Sequence, residues 1–520
     1  MGRARSISAA ALAGMTALLL TAGTPAAPQA LIDSGRLQGV RQGAIDVYKG
    51  VPFAAPPVGD LRWRPPQPAA PWTGVRKADA FAPACMQTGV SMPGEAPPKI
   101  SEDCLYLNIW APPRGRGPLP VIVWIYGGGF TNGSASMPLY WGDSLAKKGA
   151  VVVTIAYRVG PFGFLAHPDL TAESVQHSSG NYGVQDQIAA LRWVRRNIAA
   201  FGGDPQRVTV AGQSAGSMSV SILMASPAAK GLFQRAIGES GGFFEPVELA
   251  PSYRLANAEK DGRAYALSLG AASIADLRRL PAEALLKAKA AGQVSHPVIE
   301  PMVLPRPPYA VFQSGAQNDV PLLVGSNAQE ARSLQDPGFT TSAATFAADI
   351  TRRWGPLPPQ LLAAYPHDTD ETARQARLDF ERDLRFGWDA ATWARLQAAK
   401  GSSPVFAYQF RQEPPFPAGS VPIPRRPSHF AELWYVFGHL GQEAWAWTAS
   451  DRALSETMTS YWVNFARTGD PNGPTLPAWP MFKTDTETVL NLGNPIAPGP
   501  LPNVQAIGVF DKVYGAVRGP

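Results

Sequence analysis

Short runs of apolar and β-branched residues recur along the chain, at 121–126, 151–157, 208–211, 236–239, 321–325 and 405–410. They do not alternate apolar with polar, so each reads as a strand buried on both faces. Between them the spacing changes. Residues 183–200 put Val184, Ile188, Leu191 and Ile198 on one face at a period near 3.6, which predicts a helix. Buried strands alternating with helices imply an α/β fold with a mostly parallel central sheet covered on both faces. The stretch from about 245 to 400 is rich in Ala, Leu and Arg and predicts helices, apart from the strand near 321. It reads as large helical insertions covering a site, within one domain spanning 31–520. No internal repeat is visible, and 493–520 reads as loop.

The first thirty residues stand outside this pattern. Arg3 and Arg5 precede an apolar stretch from about Ala9 to Ala22, followed by the small residues Ala26, Ala27 and Ala30. This is the form of a secretory signal peptide over 1–30, with cleavage near 27–30, and it predicts an exported protein. The apolar stretch is too short for a membrane span, so no stable membrane anchor is expected. The composition of the whole 520-residue chain is that of a globular protein, 45% hydrophobic and only 17% charged. Its net charge of +6 is scattered without a dense Lys/Arg run, which argues against a nucleic-acid partner. The two cysteines, Cys85 and Cys104, rule out a cysteine-built zinc site by number. In an oxidising compartment they either close a short loop, worth about 3 kcal/mol, or remain as two free thiols.

The chemistry concentrates at Gly212-Gln213-Ser214-Ala215-Gly216, directly after the run at 208–211 and before a stretch free of helix breakers until Pro227. Strand, sharp turn and helix form the elbow that lifts a serine hydroxyl to the top of an α/β-hydrolase sheet. The pentapeptide pattern recurs at Gly238-Glu239-Ser240-Gly241-Gly242, but Gly241, Gly242 and Pro246 cannot open a helix at once. Ser214 is therefore the expected nucleophile, and Ser240 a hydrogen-bonding neighbour at the end of the next strand. A serine needs a base, and the base needs an acid to orient it. Of the six histidines, His429 lies in the loop after the run at 405–410, where a hydrolase base belongs; His439 lies in an apolar stretch and reads as packed. Glu330 is the nearest carboxylate after the run at 321–325, with Asp336 next. Gly127-Gly128-Gly129-Phe130 follows the run at 121–126, and its glycines let backbone N–H groups approach a developing oxyanion. Gly128, Gly129 and the N–H of Ala215 are the expected donors.

Taken together these motifs resemble the type-B carboxylesterase family, which includes cholinesterases and bacterial para-nitrobenzyl esterases. Phe201-Gly202-Gly203-Asp204-Pro205 leading into the serine pentapeptide is similar to the family's serine signature. Glu102-Asp103-Cys104-Leu105-Tyr106-Leu107-Asn108 resembles its second signature. Residues 48–54, Asn181-Tyr182-Gly183 with Asp186-Gln187, and 464–472 fit as well. The likeness runs from about 33 to 485. It implies a Ser-Glu-His triad at Ser214, Glu330 and His429, oxyanion donors at Gly128, Gly129 and Ala215, and a Cys85–Cys104 disulfide. This chain departs from the pattern in three places. Gln213 stands where many members carry Glu, Phe430 follows His429 where glycine is usual, and the loop between the cysteines contains no aromatic residue. The last departure argues against a choline ester as substrate.

The expected function is ester hydrolysis through an acyl-enzyme, on a small-molecule ester, with no cofactor and no metal. A non-catalytic binding protein on the same fold, or a hydrolase of lactones, thioesters or activated amides, are the alternatives. Phe130, Phe243 and Phe244 flank the motifs and are candidate walls of a substrate pocket, or else ordinary core aromatics. Arg425 and Arg426 are candidates for binding an acidic ester. An imidazole base of ordinary pKa would place the acid limb of kcat/KM around pH 6–7.

Overall fold

The computed structural model describes residues 27–89, 98–115, 117–335, 340–417 and 428–519. Its centre is an 11-stranded sheet. The strands are β1 (Val40–Gln42), β2 (Ile45–Pro52), β3 (Tyr106–Ala111), β4 (Leu119–Ile125), β5 (Val151–Ile155), β6 (Gly203–Gln213), β7 (Arg235–Glu239), β8 (Leu322–Asn327), β9 (Val405–Phe410), β10 (Thr488–Leu492) and β11 (Ala497–Pro500). Their spatial order is β11-β10-β9-β8-β7-β6-β4-β5-β3-β2-β1. From β5 across to β10 every neighbouring pair is parallel. The antiparallel pairings lie at the two edges. Every residue of β5, β8 and β9 is buried, which places cover on both faces of the sheet.

The register brings the strand ends level. Gln213 pairs with Glu239, and Glu239 with Gly325, so the turns after β6, β7 and β8 open at one edge. In parallel sheets that carboxyl edge is where sites form. Two helices complete the unit around it: α1 (Tyr182–Asn197), on the predicted apolar face, and α2 (Ala215–Ala225), which ends two residues before Pro227.

Several elements differ from the sequence reading. β2 and β3 escaped it because Lys49 and Asn108 interrupt their apolar runs. The structure makes buried Asn108 tolerable by satisfying it: Oδ1 accepts the Gly50 N–H at 3.0 Å, and Nδ2 donates to Thr154 Oγ1 at 3.1 Å. The fold also begins before residue 31. Gln29–Ile32 is a strand paired with Gly35–Gln38, and Ala30 is buried, so the expected boundary at 30 falls inside a strand. Residues 1–26 of the expected signal lie outside the described residues. Within 245–400, the helices over 255–287 pack on an apolar cluster of their own, around Trp63, Phe162, Tyr265, Leu277 and Leu285. Helix α3 (Trp388–Lys400) is instead part of the core, with Trp388 and Trp393 buried, and Trp393 lies against Gly238 of β7.

The segment read as terminal loop contains helix α4 (Val504–Arg518). Gly508 and Gly515 lower its intrinsic propensity, so its stability comes from docking. Ile507, Phe510 and Tyr514 are buried at helical spacing. Trp388 Nε1 donates to Asp511 Oδ1 at 2.8 Å, and Arg395 bonds the same carboxylate at 2.9 Å. Cys85 and Cys104 form a disulfide. Among the described residues no helix is long and apolar enough to cross a membrane. Truncating Phe510 in Phe510→Ala is expected to cost about 3–5 kcal/mol through a cavity between α4 and its neighbours, read as a lowered urea midpoint.

Candidate active site

Strand β6 ends at Gln213, and the chain turns at Ser214 with φ 58° and ψ −125°, a conformation costly for a residue with a Cβ. The turn is held from several sides. The Ser214 N–H donates to the Glu239 carbonyl at 2.8 Å, and Ser217 Oγ, one turn into α2, donates to the Gly241 carbonyl at 2.7 Å. Gly216 is required by crowding, since a Cβ there would lie 2.0 Å from the Ile125 carbonyl oxygen. Gln213 and Ala215 are buried on either side, and Ser214 is partly exposed. The second pentapeptide also turns at positive φ, 57° at Ser240, but opens no helix.

The glycine loop after β4 touches this elbow. A Cβ on Gly127 would lie 2.8 Å from Ser214 Cβ. Tyr126, just before it, is stacked on Tyr157, and each phenol donates to the other's carbonyl, at 3.0 and 2.9 Å. The Phe130 carbonyl accepts the Gly160 N–H at 2.7 Å. The loop is thus tied to the ends of both β4 and β5. Gly128, Gly129 and Phe130 all have positive φ. Among the described residues the N–H groups of Gly128, Gly129 and Ala215 donate to no protein acceptor.

His429 and Glu330 come together in the interior. Nδ1 of His429 is 2.6 Å from Glu330 Oε2, and both side chains are at most 1% exposed. Glu330 Oε1 accepts the Asn327 N–H at 2.6 Å. A carboxylate that only accepts places the imidazole proton on Nδ1 and leaves Nε2 as the acceptor nitrogen. The Gln213 amide nitrogen lies 3.2 Å from Nε2. Ser214 Oγ makes no hydrogen bond among the described residues, so its neighbour Gln213 is the elbow residue that touches the ring. Apo sites commonly tighten the serine–imidazole contact only when substrate binds. Phe386, from the π-helical turn Asp383–Gly387, stacks on His429 at 4.5 Å. Burial pushes the His429 pKa below its ordinary 6.5, against the opposing pull of Glu330.

The remaining expectations sort as follows. Ser240 is buried at the end of β7; its N–H donates to the Gly325 carbonyl at 2.8 Å, and its Oγ makes no hydrogen bond among the described residues. Phe244 is wholly buried against Phe312 and Trp393 and belongs to the core, not to a pocket wall. Phe243 packs on Tyr253, and Phe130 on Phe164. His439 is the packed histidine expected, with Nδ1 at 3.0 Å from the Leu139 carbonyl and Nε2 at 2.9 Å from Asp143. Asp336, Arg425 and Arg426 lie outside the described residues. Three residues were missed: Asn327, Glu432 and Phe386. A polar residue closing an apolar strand three positions before the acid was a visible signal for Asn327; Phe386 had none. Among the described residues no group of three or more His, Cys, Asp or Glu is placed to hold a metal ion.

A parallel sheet with a serine elbow, a glycine loop and a buried Glu–His pair at its carboxyl edge defines an α/β-hydrolase. The model for the Carboxylesterase family matches residues 26–500. The chain is 39% identical over 488 residues to fumonisin B1 esterase of Sphingopyxis macrogoltabida, covering 90% of this chain and 86% of that protein. It is 36% identical over 481 residues to para-nitrobenzyl esterase of Bacillus subtilis (strain 168), covering 89% and 94%. A solved PNB esterase structure superposes with a TM-score of 0.80 at 34% identity, over 92% of this chain and 99% of that one. The chain belongs to the carboxylesterase family and is a carboxylic-ester hydrolase.

With His429 as the expected base, kcat/KM should fall as pH drops through its pKa, because protonation removes the lone pair that accepts the proton. Because burial lowers that pKa, the acid limb is expected below pH 6.5, rather than at the pH of an ordinary imidazole. A kcat/KM profile taken from about pH 4 to 9 measures it. Gln213→Glu sets a carboxylate against the ring, favours the imidazolium, and is expected to move that limb upward by about one unit or more.

Proposed function

We propose that the chain hydrolyses carboxylic esters through an acyl-enzyme on Ser214, with His429 as base and Glu330 as its orienting acid. The observation that carries the reading is the buried Glu330–His429 hydrogen bond beside the strained serine elbow. Ser214 Oγ attacks the ester carbonyl carbon while His429 Nε2 takes its proton. Glu330 holds the Nδ1–H tautomer and stabilises the imidazolium that forms. Negative charge grows on the carbonyl oxygen, where the N–H groups of Gly128, Gly129 and Ala215 receive it. One such donor is worth about 10²–10³ in kcat. The imidazolium then gives its proton to the departing alkoxide, and the C–O bond breaks. Water attacks the acyl-serine, His429 takes a proton from it, and the carboxylic acid leaves as Ser214 recovers its proton.

The substrate is a small-molecule ester. Two relatives carry the names of a fumonisin B1 esterase and a para-nitrobenzyl esterase, which together favour a site open to bulky alcohol or acyl groups. Phe130 and Phe243 are the aromatic residues proposed to line it. We read the N-terminal segment as an export signal, a reading supported by the disulfide between Cys85 and Cys104.

Ser214→Ala is expected to lower kcat on a chromogenic ester by about 10⁴- to 10⁶-fold. Ser240→Ala is expected to stay near the parent value. A fluorophosphonate should label the peptide containing Ser214, located by mass spectrometry; a stoichiometric adduct elsewhere would falsify the assignment.

A further inference from the structure

Asn327 is the last residue of β8 and is wholly buried. Its main-chain N–H donates to Glu330 Oε1 at 2.6 Å. Its side-chain amide reaches across to another part of the chain, donating to the Ser428 carbonyl at 2.8 Å and to Glu432 Oε2. Those two residues bracket His429, one immediately before it and the other one turn after. Apart from these contacts, the segment carrying His429 is joined to Glu330 by the imidazole itself and by the His429 N–H, which donates to the Glu330 carbonyl at 3.3 Å.

This arrangement answers a mechanical need. His429 lies far along the chain from Phe410, where β9 ends, so the covalent path back to the sheet does not set its place. Its orientation is set by non-covalent contacts. The Glu330 carboxylate, the Phe386 ring and the Gln213 amide hold the imidazole itself, and the main chain on either side of it must be held separately. Two donors from one planar amide, rooted in the sheet three residues before Glu330, add the missing constraints. The amide also gives buried Glu432 a partner.

From this geometry we propose that Asn327 is the positioning residue of the Glu330–His429 pair. Its side chain holds the loop around His429 so that Nδ1 faces Glu330 and Nε2 faces the elbow. The proposal rests on the assignment of Glu330 and His429 as acid and base, and deepens it by naming what sets their distance. Asn327 touches neither the reacting serine nor the oxyanion donors, so its effect is on orientation.

The test uses the full-length enzyme with Asn327→Ala and the isosteric Asn327→Asp; both keep the main-chain N–H and lose the amide donors. Expected are a kcat lower by about 10- to 100-fold, the range for losing a partner that orients a ligating or catalytic imidazole, and an unchanged KM. The downfield proton resonance of the His429 Nδ1–H should move upfield or broaden in either variant, a change that a purely structural role would not produce. Glu432→Gln, which retains a carbonyl to accept from Asn327, should keep most of the activity. The variant Asn327→Asp is the same size as the parent and serves if Asn327→Ala does not fold. Folded variants with kcat within about twofold of the parent and an unmoved resonance overturn the proposal. Glu330→Gln and His429→Ala are run alongside. If they are inactive while the Asn327 variants are not, only the positioning role fails; if they keep full turnover, the acid–base assignment itself fails.

Discussion

A hydrogen bond between two side chains removed from water, Glu330 and His429, is the contact on which the site depends. An isolated carboxylate in a protein interior costs several kcal/mol unless its oxygens are occupied. Here one oxygen takes the imidazole N–H and the other takes the Asn327 N–H. The same bond decides which ring nitrogen carries the proton, and so which one can receive another. It forms because β8 and β9 are neighbours in a parallel sheet and both chains leave that sheet at the same edge. The architecture makes the bond possible and sets it beside the serine turn.

The interior behind the Glu330–His429 pair is rich in acid. Glu239 and Glu432 are fully buried, and burial pushes both well above the usual carboxylate range. Neighbouring carboxyls add to the effect at Glu432. Hydrogen bonding gives each buried acid a different partner. Glu239 accepts from Trp462 Nε1 at 2.8 Å and Glu432 from Asn327, whereas Glu330 is the acid in direct contact with an imidazole. Gln213, in the position where a further carboxylate would face the ring, keeps that surface of the site uncharged.

Much of this could be read from residue order. The central strands announce themselves because a strand covered on both faces is mostly apolar, and β9 spans the run 405–410 with every residue buried, the single polar Gln409 included. Ser214 is legible since an elbow needs small residues at fixed offsets and a helix former after them. Glu330 and His429 are legible through their place after particular strands. What stayed hidden depends on partners far away in sequence. Asn108 looks like the end of a strand until Gly50 and Thr154 satisfy it. Phe386 looks like any residue of a helical stretch until a π-turn sets its ring over His429. Helix α4 has weak local propensity and exists because Trp388, Arg395 and the buried faces of its neighbours receive it. Phe244 could be read either as a pocket wall or as a core aromatic, and its burial against Phe312 and Trp393 decides for the core because proximity in sequence to the elbow does not set which way a side chain faces.

Helix α4 carries one more consequence. Arg518 donates to the carbonyl of Phe244, in the segment that follows β7, and lies 3.5 Å from the centre of the Tyr309 ring. One guanidinium thus fastens the last turn of α4 to two stretches of chain that are distant from each other in sequence, so any disturbance that unseats α4 also loosens the backbone leaving β7.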